Sequence, residues 1–140
     1  MANKATTTQS NSNYSATIAE CSRELTAKER VMFKDTQNAR SLLELAEEAK
    51  KSDSKAIITN VTDYVVIDVH NEKSDDVDYK NYLIIDGDGQ KYVTGSSSFW
   101  NAFMDIYNEM KDETEPWGIE LNLLESRNYK GKYILTCSLI

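Results

Sequence analysis

The run AIITNVTDYVVIDVH, residues 56–70, restricts the fold of this chain more than any other feature. It is rich in Val, Ile and Thr, whose branching at Cβ stiffens the side chain and favours the pleated backbone of a strand. It is longer than an average strand, and the polar residues near Asn60–Asp63 predict a bend. The run therefore predicts the first strand of a protein that is mainly β.

Four more strand-like segments and one helix follow this run. YKNYLIID predicts the second strand, and Asp86–Gly89 predict a tight hairpin turn because glycine reaches positive φ without strain. QKYVTG predicts the third strand, and a serine among Ser96–Ser98 can cap the helix that begins after it. IELNLLE alternates apolar and polar residues, which predicts the fourth strand, and KYILTCSLI after the turn SRNYKG predicts the fifth.

The helix FWNAFMDIYNEM has apolar residues at helical spacing. The residues predicted to share its core-facing side are Phe99, Phe103, Ile106, Tyr107 and Met110. The neighbouring Trp100 fits either the core or the surface.

Three strands, a helix and two strands make up the order of an OB-fold, in which the helix plugs one end of a five-stranded barrel. We therefore predict a mainly β domain over residues 55–140, a five-stranded OB-like barrel with a helix between strands three and four. OB-folds bind oligonucleotides or oligosaccharides on the face of strands two and three and with the 1–2 and 4–5 loops. Ubiquitin-like and other small α+β folds share parts of this order.

The residues before the barrel predict short N-terminal helices and a tail. Residues 1–15 are rich in Ser, Thr and Asn and predict a disordered tail. Residues 16–54 predict a short helical extension, in which Thr26–Glu29 and Ser41–Glu44 each fit a capping box at a helix start.

The charge of the chain is unevenly placed. Its net charge of −7 comes entirely from residues 55–140, which hold 8 basic and 15 acidic side chains. The stretch from Ser126 to Ile140 nevertheless contains three basic residues and no acid. An acidic average argues against the coating of duplex DNA, although it permits a local basic groove. The polar N-terminus indicates neither a signal peptide nor a membrane span, so we expect a cytoplasmic protein.

The sequence offers no catalytic or metal-binding pattern, and we expect neither an enzyme nor a cofactor. Cys21 and Cys137 are far apart, and Cys137 lies in an apolar strand pattern that predicts a buried thiol. His70 has no cluster of Cys or His around it, which a zinc site would need. Nucleotide-binding glycine motifs and a nucleophile elbow are absent from the sequence.

Aromatic and basic residues in the second and third strands and in the 4–5 turn form a candidate site for single strands. Stacking on bases needs exposed rings, and tracking the backbone needs cations nearby. The predicted contact residues are Tyr79, Lys80, Tyr82, Lys91, Tyr92, Arg127, Tyr129, Lys130 and Lys132. A strand tyrosine is also commonly a half-buried core residue, which is the alternative for each of the three strand tyrosines. Tyr129 lies in a turn between cations, where a ring has little room to be buried.

The segments YKNYLIIDGDGQKYVTGSSSFWNAFMDIYNEM and NYKGKYILTCSLI resemble the small single-stranded DNA-binding proteins of bacteriophages of Gram-positive bacteria. The resemblance covers roughly residues 27–140. It implies a protein that coats single strands in replication or recombination, with phage or host replication and recombination proteins as further partners. RNA as a ligand and a homo-oligomeric state both stay open. The acidic tail that recruits partners in the bacterial housekeeping proteins is not found here, since the chain ends on an apolar strand.

A different class of function is an acidic protein-interaction module that inhibits a host nucleic-acid enzyme by mimicking DNA. The acidic residues that would carry this effect are Asp75, Asp76, Asp78, Asp112, Glu113 and Glu115. The alternative, which is the more common one for acidic residues of this kind, is that they lie in solvated loops. Convergence of the basic residues on one groove would favour strand binding, whereas a continuous acidic stripe would favour mimicry.

Overall fold

The computed structural model describes residues 7–11 and 13–140, with the backbone alone described for residues 7–11. The described residues form a mainly β protein, as predicted. The helices are α1 (Ala27–Lys34), α2 (Leu42–Lys51) and α3 (Ser97–Met110). The strands are β1 (Thr7–Asn11), β2 (Tyr14–Cys21), β3 (Arg40–Ser41), β4 (Ala56–Ile58), β5 (Val61–Asn71), β6 (Asp78–Asp86), β7 (Lys91–Thr94), β8 (Ile119–Glu125) and β9 (Tyr133–Leu139). None of these helices has the length and apolar character that crossing a bilayer requires.

The strands form two sheets. One has the order β1-β2-β5-β6-β7-β3, and the other has the order β4-β8-β9. Neighbouring strands are antiparallel, apart from the short parallel pairing of β3 with β7. Among the described strands no pairing joins β7 to β9, so the closed five-stranded barrel predicted from the sequence is not found.

The run that predicts the first strand is divided between the two sheets. Its first part, β4, pairs with β8, and its second part, β5, lies between β2 and β6. The break falls at Asn60, whose φ of 54° lies in the left-handed region that asparagine adopts more readily than most residues. A register shift follows between Val61 and Asp63. The bend predicted near Asn60–Asp63 is therefore confirmed, and it allows one run to pair in both sheets.

The N-terminal residues contribute strands as well as helices. β1 and β2 form a hairpin, and β2 pairs with β5, where Ala16 lies opposite Val69. This differs from the disordered tail predicted for residues 1–15, of which residues 1–6 and 12 lie outside the described part of the chain. Polar composition predicts disorder because such a segment buries little, but pairing with a distant strand satisfies its backbone groups.

The two short helices predicted in the extension over residues 16–54 are confirmed as α1 and α2. At the start of α1, the Glu29 amide donates to the Thr26 hydroxyl at 3.1 Å, and the Thr26 amide donates to the Glu29 carboxylate at 2.9 Å. At the start of α2, the Glu44 amide donates to the Ser41 hydroxyl at 3.2 Å. These bonds satisfy amides that have no partner within the helix.

Both faces of the six-stranded sheet are buried around β5. Tyr64 and Val66 face a core formed with α2, α3 and the three-stranded sheet, whereas Val65 and Ile67 face a second core that includes Phe33 of α1. Successive residues of a strand point to opposite faces. A strand covered on both faces is therefore apolar without alternation, as this run is.

Helix α3 supplies the largest side chains of the first core. The Phe99 amide donates to the Ser96 hydroxyl at 3.1 Å, which caps the helix. Phe99 and Phe103 are fully buried, with their ring centroids 6.1 Å apart. Trp100 is also buried and stacks on Tyr82 with the ring centroids 4.8 Å apart. The predicted helix is confirmed, and Trp100 belongs to the core.

Candidate nucleic-acid interface

The turn between β8 and β9, residues 126–132, holds an aromatic ring in the solvent. The Ser126 amide donates to the Lys132 carbonyl at 2.8 Å, and the Lys132 amide donates to the Tyr129 carbonyl at 3.2 Å. Gly131 has a φ of 81°, which a residue with a side chain would adopt only under strain. The Tyr129 residue is 64% exposed. The predicted exposure of Tyr129 is confirmed.

Three basic residues flank Tyr129 in the turn. Arg127, Lys130 and Lys132 are exposed, and none of them forms an ion pair within the described part of the chain. The Lys132 ammonium lies 5.6 Å from the centroid of the Tyr129 ring, within the range of a cation–π interaction. The nearby Glu125 carboxylate accepts a hydrogen bond from the turn amide of residue 131 at 3.3 Å. The positive charges of the turn are therefore available to an anion.

Tyr133 and Lys50 extend this exposed region, although neither belongs to the predicted set. Tyr133 begins β9 and is 44% exposed, and the Lys50 ammonium lies 4.5 Å from the centroid of its ring. Lys50 lies in the last turn of α2, where a cation interacts favourably with the helix dipole. In the sequence, the basic residue Lys132 directly before Tyr133 marks Tyr133 as a candidate contact residue. No pattern in the sequence connects Lys50 with Tyr133.

We give one name, the tyrosine–lysine surface, to these two ring–lysine pairs together with the Arg127 and Lys130 that flank Tyr129 in the chain. Its members are Lys50, Arg127, Tyr129, Lys130, Lys132 and Tyr133. It combines two exposed rings with four cations, which is the combination that base stacking and phosphate neutralisation require.

The tyrosines of β6 do not share this exposure. Tyr82 is half-buried and stacks on Trp100, whereas Tyr79 is half-buried against the second core. Because they are three residues apart in one strand, Tyr79 and Tyr82 point to opposite faces of the sheet. The structure therefore does not bring these two rings together on one surface.

Tyr92 lies inside the first core with 8% of its surface exposed. Its hydroxyl donates to the Asp86 carboxylate at 3.0 Å. Burial, together with this hydrogen bond, raises the pKa of Tyr92 to about 12. A ring in this position presents no face to a base, so the predicted contact at Tyr92 disagrees with the structure. The sequence does not show whether the Tyr92 ring is exposed or buried, because a strand tyrosine has the same neighbouring residues whether or not a helix covers it.

The two lysines predicted in β6 and β7 have partners within the fold. The Lys80 ammonium lies 2.5 Å from the Asp68 carboxylate, and this bond raises the pKa of Lys80. The Lys91 ammonium donates to the carbonyl of Met32 at 2.7 Å and to the carbonyl of Asp35, at the end of α1. A cation at that position satisfies carbonyls that have no partner within the helix. The structure thus gathers the four predicted residues of the turn and disperses the five predicted residues of the strands.

Two further titratable side chains, Cys137 and His70, are not part of the tyrosine–lysine surface. Cys137 is a buried thiol, as predicted, and burial raises its pKa to about 12. His70 lies near the far end of β5, where hydrogen bonds to Asp78 at 2.8 Å and Glu72 at 3.2 Å raise its pKa. Within the described residues, no group of three or more His, Cys, Asp or Glu side chains is arranged to hold a metal ion.

No model of a protein family, no curated protein and no solved structure matches this chain. The resemblance to phage single-stranded DNA-binding proteins consequently has no support from these comparisons. The function is argued from the chemistry of the tyrosine–lysine surface.

Proposed function

We propose that this protein binds single-stranded nucleic acid, without sequence preference, through the tyrosine–lysine surface. The observation that carries the proposal is the pairing of two exposed tyrosine rings with two lysine ammonium groups. Every base has a π-face, so stacking on Tyr129 and Tyr133 tolerates any sequence. The cations neutralise the phosphates between the stacked bases. DNA is the proposed ligand, and RNA is distinguished from it by the experiment below.

The order of the elements supports an OB-like interpretation of the fold. The bent β4–β5 segment, β6 and β7 precede α3, and β8 and β9 follow it. In this interpretation, the turn at residues 126–132 is the loop between strands four and five, which OB-folds use for oligonucleotides. We propose an open arrangement in which β7 and β9 do not pair with each other. The role implied by the sequence resemblance, coating of single strands during phage replication or recombination, is part of the same proposal.

The alternative of an acidic DNA mimic has less support. It needs a continuous acidic stripe, but its six acidic residues lie in two loops and, for Asp78, at the first position of β6. One loop follows β5 at residues 72–77, and the other, at residues 111–118, lies beside residues 60–62 before and at the start of β5. A strand of this length separates the two loops by about 33 Å, at roughly 3.3 Å per residue.

The proposal is tested with three labelled ligands of equal length, namely oligo-dT, oligo-U RNA and duplex DNA. Binding to oligo-dT that is clearly tighter than binding to the duplex is expected, because stacking requires unpaired bases. The double variant Tyr129→Ala/Tyr133→Ala removes both stacking rings and is compared with the parent protein. It should melt like the parent and bind oligo-dT weakly. Equal affinity for the duplex, or no binding of any strand at low salt, would contradict the proposal.

A further inference from the structure

A cleft of about 470 Å³ adjoins the tyrosine–lysine surface at Tyr133. It lies between the start of β9, the end of β7 and the first residues of α2 and α3. Its volume falls within the range of roughly 300–1,000 Å³ that is typical of ligand sites. Neither the sequence pattern nor the proposed function assigns a role to it.

Two hydroxyl groups that line this cleft find no acceptor for their protons among the described residues. Thr94 Oγ1 accepts from the Ser96 amide at 3.1 Å, and Ser41 Oγ accepts from the Glu44 amide at 3.2 Å. Neither hydroxyl donates to any described residue. Only 9% of Thr94 is exposed. A buried donor without an acceptor costs free energy, and native proteins commonly satisfy such a group with water or a ligand.

The other two hydroxyls of the cleft differ from this pair. Ser98 Oγ donates to the Leu135 carbonyl at 3.0 Å, and Ser96 Oγ lies 2.9 Å from Ser98 Oγ. Because Ser98 uses its proton on Leu135, the proton between the two serines belongs to Ser96. Both serine protons are therefore satisfied within the protein, which leaves Thr94 and Ser41 as the donors that a ligand would meet.

The described lining of the cleft carries no charge that would oppose a negatively charged ligand. The residues that line it include no acidic side chain within the described part of the chain. Tyr133 forms one wall, and the Lys50 ammonium lies 4.5 Å from its ring centroid. A phosphate group offers strong acceptor oxygens to hydroxyl donors and is attracted by an ammonium group.

We propose that the cleft holds one phosphodiester of the bound single strand. Its oxygens accept hydrogen bonds from the hydroxyls of Thr94 and Ser41, and the adjoining base stacks beside Tyr133. This inference rests on the proposed function and specifies the path of the strand. The strand runs from the turn at residues 126–132 into the cleft, rather than along the face of β6 and β7 that the sequence predicts.

The test uses two independent changes to the cleft, each with a matched control. Thr94→Val removes the donor at nearly constant shape, and Thr94→Ser keeps a hydroxyl. Leu43→Trp fills the cleft from a position that is 44% exposed, and Val77→Trp places the same ring at a position that is 38% exposed in the loop before β6. We expect Thr94→Val and Leu43→Trp to weaken binding of oligo-dT about tenfold, the effect of losing one hydrogen bond to a charged group. Thr94→Ser and Val77→Trp should bind like the parent.

The outcomes separate the cleft from the proposed function. If the parent binds oligo-dT, and Thr94→Val and Leu43→Trp bind it equally well, the cleft is not part of the strand's path and the assignment is wrong. If the parent binds no single strand, the proposed function fails, and the cleft assignment fails with it. Thermal melting without ligand identifies a variant that does not fold, and the Thr94→Val and Thr94→Ser pair decides the question if Leu43→Trp is such a variant.

Discussion

Tyr129 and Tyr133 are held in place by different parts of the structure, although only four positions separate them. The hydrogen bonds of the turn position Tyr129, whereas Tyr133 lies opposite Glu125 in the ladder between β8 and β9. A lysine ammonium rests near each ring, an interaction worth about 0.5–1 kcal/mol at an exposed site. Each lysine thereby restricts the orientation of its ring before a ligand is bound.

The first prediction concerns Tyr129. Tyr129→Ala should reduce the affinity for oligo-dT by about 1–3 kcal/mol, because a stacking face is lost. The ring is 64% exposed, so the free energy of unfolding should change by no more than about 0.5 kcal/mol. Tyr129→Phe keeps the ring and should bind like the parent. Fluorescence titration and thermal melting measure the two quantities, and a variant that melts normally and binds fully would show that this turn is not the contact surface.

The second prediction concerns Tyr92 and alkaline pH. Its folded-state pKa is raised from 10 to about 12, so the unfolded chain loses this proton first as the pH rises. The contribution of the protonated phenol to stability is complete below about pH 10 and is lost between about pH 10 and 12. Tyr92→Phe should cost about 1 kcal/mol at pH 7, since the bond to Asp86 is lost. In urea titrations the variant should lose less stability than the parent between pH 10 and 12, and an identical loss would contradict this.

Among the elements, β2 differs most from what the sequence predicts for the N-terminal third of the chain. It joins the sheet of β5, β6 and β7, and Ala16 is 2% exposed in the second core. Helix α1 completes the same core with Phe33, and Lys91 of β7 binds the carbonyls at the end of α1. The strand β2 and the helix α1 are therefore part of the packing around β5.

The third prediction follows from this position of β2. Ala16→Asp would bury a carboxylate in an apolar core and should destabilise the protein by about 3 kcal/mol or more. Ala19→Asp in the same strand is the control, because Ala19 is exposed and should tolerate the charge within about 0.5 kcal/mol. Equal melting temperatures for the two variants would mean that β2 does not dock on β5.

At the scale of the whole molecule, the proposed binding surface is a small basic region on an acidic protein. The net charge is −7, and the cations of the tyrosine–lysine surface are Lys50, Arg127, Lys130 and Lys132. The acidic remainder would repel the phosphates of a duplex approaching elsewhere, so the proposed binding would be confined to this region.

The fourth prediction is the salt dependence of binding. Four phosphate contacts give a slope of log affinity against log salt no steeper than about −3, at roughly −0.7 per contact for single strands. Lys130→Gln should make the slope shallower by about 0.7, since one contact is removed. Lys80→Gln is the control and should leave the slope unchanged, because Lys80 is paired with Asp68. If Lys80→Gln changed the salt slope and Lys130→Gln did not, the nucleic acid would instead bind on the face of β6.

Local interactions determined most of what was predictable from the sequence. The capping residues Thr26, Ser41 and Ser96 act within one turn of their helices, and the bend at Asn60 depends on one residue's backbone. The exposure of Tyr129 is equally local, since its turn is closed by hydrogen bonds between near neighbours. Such features depend on residues a few positions apart, and their pattern is therefore visible in the sequence.

Only the tertiary structure decided which elements meet. The strand β2 in a polar segment, the burial of Tyr92 and the lack of pairing between β7 and β9 each depend on segments far apart in the chain. The same is true of Lys50, which reaches Tyr133 only because α2 ends beside the start of β9. A local pattern reports that a residue is apolar, aromatic or charged, but its partner comes from packing between distant segments, and that packing sets whether a side chain is buried, paired or free to bind.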